Sequence, residues 1–146
     1  MSGLWALAIA MLMEPTAGDW RLITDDPGNA VLAVEVSGVT GPPTRRVVTT
    51  VAVNRASLEG ERYLFTQVAI DCHQHQSTLV SADVKALNGA VLESLDPDAL
   101  ESKTAPTSDG SPTAVALACE GAPVNSRRFG SDVAFITWAA DQLSAP

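Results

Sequence analysis

Asp71, His73 and His75 alternate along one short polar stretch of the chain. On an extended backbone alternate residues share a side, so both imidazoles would face the same way. Imidazole is a common ligand for zinc or copper, and a neighbouring carboxylate can join it. A catalytic zinc usually takes three protein ligands, and the chain holds only 2 histidines. Asp71 or Asp83 would have to complete the set. A solvated turn accounts for the same residues without a metal. Were the corner partly buried, the two histidines would make it responsive to pH at about 6.

Other chemistry finds less to work with. Ser77 lies close to His75 and Asp71 in sequence, but triads form in space, and no G-x-S-x-G elbow is present. There is no P-loop and no dinucleotide fingerprint. The carboxylate pairs Asp25-Asp26 and Asp96-Asp98 stand in turn clusters, where such residues cap and shape the backbone. A reactive Cys72 beside His73 would need a free thiol. No catalytic residue and no cofactor is nominated, and the reading is of a protein that is not an enzyme.

Cys72 and Cys119 are the chain's 2 cysteines. Their fate depends on compartment. Leu4 to Met13 is an uninterrupted apolar run, too short for a bilayer, which takes about 20 residues. Glu14 and Pro15 break it, and Thr16-Ala17-Gly18 offers small residues for a peptidase. The expectation is an export signal over residues 1–18, with the domain at 19–146 and no membrane span once the signal is removed. Exported cysteines usually pair, so a Cys72–Cys119 disulfide is expected. In the chain-entropy model closing such a loop is worth about 4 kcal/mol. The alternative is two buried thiols in a reducing compartment.

The remaining pattern is mostly β. Trp20–Ile23, Ala30–Val36, Arg46–Asn54, a strand from Arg62 to Cys72, its return from Thr78, and Ala90–Leu95 are six candidate strands. In the central one, Leu64, Val68, Ile70 and Cys72 share a face. Asn88-Gly89 predicts a two-residue type I′ hairpin turn. Asp96 to Ser111, rich in Pro, Gly and small polar residues, reads as a loop. Ser111-Pro112 reads as a helix start, with Gly121 and Pro123 as its stop. Ser131 is a candidate cap for a last helix carrying Asp132 in its first turn and a stripe of Val133, Ile136, Ala140 and Leu143, with Phe135 and Trp138 beside it widening the buried face. Short links predict an antiparallel sheet of about six strands in one α+β domain. The short helix and the C-terminal helix are expected on one face. Trp20, Phe129, Phe135 and Trp138 read as core or core edge rather than as a binding surface.

The chain is 46% hydrophobic and 18% charged, ordinary for a folded domain. Its net charge of −8 argues against nucleic acid, which demands clustered cations. Arg45-Arg46 and Arg127-Arg128 are short surface pairs that do not overturn this.

Together these features resemble the surface-adhesin protein E family of Gram-negative bacteria. The residues that carry the resemblance are Trp20, Ile70-Asp71-Cys72 at a strand end, the polar corner after it, Asn88-Gly89, the Pro-rich loop, and Cys119 late in the chain. The resemblance implies an exported antiparallel sheet with a late helical part tethered by a disulfide. It also implies a non-catalytic, adhesin-like binding domain of the periplasm or cell surface, with a protein or another envelope component as partner. A metal-binding or pH-responsive periplasmic protein using the His73/His75 corner is the second expectation, and an envelope hydrolase the third.

Overall fold

The computed structural model describes residues 16–25, 30–98, 105–106 and 112–144. The strands are β1 (Ala17–Asp25), β2 (Ala30–Thr40), β3 (Arg46–Asn54), β4 (Arg62–Asp71), β5 (Gln76–Ala86), β6 (Val91–Leu95), β7 (Ala105–Pro106) and β8 (Arg128–Ser131). The helices are α1 (Arg55–Glu59), α2 (Pro112–Glu120) and α3 (Asp132–Ser144). Seven strands form one antiparallel sheet in the order β6-β5-β4-β3-β2-β1-β8, and the two-residue β7 pairs with the start of β5. All six expected strands are present. β8 adds a seventh by pairing Trp20 with Phe129 and Arg21 with Arg128.

The expectation that both helices share one face is corrected. Along β2, β3 and β4 the side chains alternate between two separate cores. Trp20, Val31, Ala33, Val51, Val53 and Tyr63 pack with Phe135, Ile136, Ala139 and Leu143 of α3. Val34, Val48 and Ile70 pack on the other face with Ala118 of α2, flanked by Val68, Cys72, Val115 and Cys119. Both faces of these strands are buried, so their β-branched runs are apolar on both parities.

Two local readings are also corrected. The hairpin after β5 is not type I′, because only Gly89 has positive φ, at 94°. The Gly89 amide donates to the Ala86 carbonyl, and the Ala86 amide to that of Ala90, each at 2.8 Å. That is a three-residue loop, a type I turn closed by glycine in the left-handed region. The polar stretch after β3 holds a helical turn. Asn54 Oδ1 accepts from the Ser57 amide and Ser57 Oγ from the Asn54 amide, both at 2.8 Å, a reciprocal cap. In α3 the buried stripe is Asp132, Phe135, Ile136, Ala139 and Leu143, while Val133 and Ala140 are only half-buried. The ring of Phe135 packs edge-on against Phe129 of β8, which turns that side of the helix to the sheet. Ser131 does cap α3, its Oγ accepting from the Ala134 amide at 3.0 Å. The expected cap at Ser111 and the apolar run Leu4–Met13 lie outside the described residues.

Cys72 and Cys119 are joined in a disulfide, with Cα atoms 5.5 Å apart and 47 positions apart in sequence. It ties α2 to the end of β4 on the face away from α3. No helix among the described residues is long and apolar enough to cross a membrane. The Cys72→Ser/Cys119→Ser variant should lose about 2–4 kcal/mol in urea denaturation. Amide exchange should quicken in α2 and hold in α3, because only α2 is tethered this way.

Candidate functional site

The histidine corner is a turn built by Asp71. Its Oδ1 accepts from the His73 amide at 2.9 Å and the Gln74 amide at 3.0 Å, an Asx turn that closes the β4–β5 hairpin. His75 takes φ 55°, the left-handed conformation that lets four residues reverse the chain. Both imidazoles are exposed. His75 lines an open hollow of about 490 Å³ with the disulfide, Pro112, Val115 and Glu120. Asp71 opens onto a different hollow, with Thr44, Arg45 and Thr78. Among the described residues no three His, Cys, Asp or Glu side chains gather where a metal could sit.

The polar cluster that the fold does assemble was not legible in the sequence. Asp132 is fully buried at the start of α3. Its Oδ2 accepts from the Tyr63 hydroxyl at 2.8 Å and from Lys85 Nζ at 3.1 Å. Its Oδ1 accepts from the amides of Thr16, at 2.8 Å, and Val133, at 2.9 Å. Lys85 Nζ also reaches Thr16 Oγ1 at 3.3 Å and lies 3.7 Å above the Phe65 ring. The Trp20 indole donates to the Thr16 carbonyl at 3.0 Å. Thus α3, β4, β5 and the entry to β1 meet at one carboxylate. Burial, then the hydrogen bond to Asp132 and its negative charge, push the Tyr63 phenol far above its ordinary value. Tyr63, Lys85 and Asp132 are each sealed from solvent, so the cluster is a structural clasp rather than a site that a substrate reaches.

A second buried carboxylate, Glu35, lies where β2 bulges away from β3. Its Oε1 accepts from the Asp19 amide at 2.8 Å, the Ser37 amide at 3.1 Å and the Ser37 hydroxyl. A Cβ at Gly18 would sit 2.7 Å from that oxygen, so glycine is required for the approach. Beside it Asp19 pairs with Arg21 at 2.7 Å and Arg128 at 3.3 Å. The hydrogen bond from Arg21, outweighing partial desolvation, and the charges of both arginines hold the Asp19 carboxyl below its ordinary range. These groups fasten β1 to β2 and β8.

The aromatic residues are core, as expected: Trp20 and Phe135 are fully buried, Phe129 nearly so, and Trp138 packs beside them under Arg127. The surface that stays open lies elsewhere. At the end of the sheet away from α2, Leu64 and Val84 with Ala52 floor an open trough of about 490 Å³, walled by Ala56 and Ser57 of α1. Leu64, Val91 and Leu92 are exposed, the last at 53%. Val84 pairs with Glu93 and Lys85 with Val91, so Leu92 bulges from the outer strand, with β5 between it and Leu64. Comparison with protein-family models finds no match, and none is found among curated proteins or solved structures.

Two measurements test the clasp. Because the folded phenol of Tyr63 titrates far above the unfolded one, its contribution is complete below about pH 10 and is lost as pH rises beyond it. The native protein should therefore lose stability steeply above about pH 10, and Tyr63→Phe should flatten that decline in urea melts taken from pH 8 to 11. Thr16–Gly18, placed in the leader by sequence, includes three atoms of Thr16 that make four hydrogen bonds of the clasp, and the first pairing residue of β1. A chain that starts at Asp19 should be less stable than one that starts at Thr16 by about 2 kcal/mol in the same melts.

Proposed function

We propose that this protein is an exported, non-catalytic binding domain of the bacterial envelope or cell surface, adhesin-like in role. Its partner is a protein or another envelope component. The observation that carries the reading is the open trough with the exposed Leu64 on its floor, next to an outer strand β6 that exposes Val91 and Leu92. Elsewhere both faces of the central strands are covered by helices. An open apolar hollow with an exposed aliphatic side chain on its floor marks an interaction surface. Among the described residues the outer strand β6 also leaves one row of backbone groups for a partner strand. The disulfide suits an oxidising compartment, which supports export. The net charge of −8 disfavours nucleic acid as the partner. Membership of the surface-adhesin protein E group is part of the same proposal, supported by the sheet and by the tether from the end of β4 to a late helix.

Photocrosslinking amino acids at Leu64, Leu92 and the exposed Ala134 of α3 test this in intact cells. Discrete adducts from Leu64 and Leu92 with none from Ala134 are expected. Equal labelling from all three, or none from any, would overturn the reading.

A further inference from the structure

The trough has a chemical character of its own. Its floor is Ala52, Leu64 and Val84, a single row across β3, β4 and β5. These strands lie inside the sheet, so their backbone groups are spent on one another. The polar side chains at the rim are spent as well, since Asn54 and Ser57 cap each other. A peptide laid along this floor would bury amides without partners, at a cost for each one. An aliphatic chain has no such groups to lose.

One lining residue carries charge. Arg62 has the same strand parity as Leu64 and stands at the sheet's end of the trough. Among the described residues it pairs with no carboxylate, in a protein whose net charge is −8. Glu59 lines a different hollow, on the side of α1 that faces α3, and Glu61 does not line the trough. Across the sheet the row continues to Glu93 of β6, opposite Val84 but outside the trough lining, while along β4 the floor ends at Arg62. The apolar floor and the guanidinium within the lining complement a ligand with an aliphatic tail and an anionic head.

We propose that this trough binds a single acyl chain ending in a carboxylate, with the tail over Ala52, Leu64 and Val84 and the head at Arg62. The inference rests on the binding-domain reading and gives that surface a ligand class, an acyl component of the envelope. No bond is made or broken.

The probes are decanoate, 1-decanol and decylamine, each at submillimolar concentration, followed by amide chemical shifts of the full-length protein. Decanoate should produce saturable shifts centred on Ala52, Leu64 and Val84, and bind at least fivefold more tightly than decanol or decylamine. Arg62→Gln should weaken decanoate at least fivefold and leave decanol unchanged. Ala52→Leu, which fills the floor, should weaken both. Decanoate shifts that do not saturate or lie elsewhere would overturn the proposal. So would decylamine binding as tightly as decanoate, or an Arg62→Gln variant that binds decanoate normally. The comparison of the three probes uses the unaltered protein, so it stands even if a variant fails to fold. Crosslinks from Leu64 and Leu92 in cells alongside a failure of decanoate would retire the acyl ligand and keep the binding domain.

Discussion

One buried carboxylate decides where four segments meet. Asp132 opens α3 and is closed off by Tyr63 of β4, Lys85 of β5 and Thr16 at the entry to β1. A carboxylate in an apolar interior is costly unless every lone pair is answered, and here each oxygen accepts two donors. The arrangement is therefore specific: shifting α3 by one residue, or β5 by one register step, would leave Asp132 or Lys85 buried alone. Apolar packing alone tolerates such slips far better. The clasp fixes which end of α3 lies over β4 and β5.

The opposite face is fastened by different means. There α2 has few large side chains, with Ala114 and Ala118 as its buried residues. The disulfide to the end of β4 compensates for that small contact by holding the helix to the sheet in the folded state and restricting the unfolded chain. Because α2 is short and held at the corner that Cys72 occupies, it covers only part of its face. The Thr50–Thr66 hydroxyl pair, 2.6 Å apart, lies beyond it, and the apolar row Ala52, Leu64 and Val84 beyond that stays open. The binding surface we propose is thus a consequence of where the covalent tether sits.

Much of the sheet was legible because β-branched runs and turn residues are local signals. Val47 to Val53 could hardly be anything but a strand, and Cys72 on the parity of Val68 and Ile70 does join the apolar side. The assignment of helices to faces was not legible. Alternation tells which residues share a face but not which helix lies over it, and β2 and β3 are apolar on both parities. β8 escaped because four residues, Arg-Phe-Gly-Ser, carry no periodicity; only their pairing with β1 makes them a strand. The turn at Asn88-Gly89 depended on a backbone choice at Asn88 that composition does not encode. Lys85 and Asp132 escaped for a different reason: each reads as a surface charge until the other is placed beside it. The histidine corner is the solvated turn that its polar composition suggested, and Asp71 uses its carboxylate to shape the turn that carries the histidines.

The most direct test of the clasp is a double-mutant cycle on Lys85→Met and Asp132→Asn, read by urea denaturation at neutral pH. Removing Lys85 alone strands a carboxylate in the core and should cost about 3–5 kcal/mol. Adding Asp132→Asn removes that stranded charge, so the double variant should regain at least about 1 kcal/mol over Lys85→Met. A Lys85→Met protein within about 0.5 kcal/mol of the native one, or losses that simply add, would mean that Asp132 does not organise the fold.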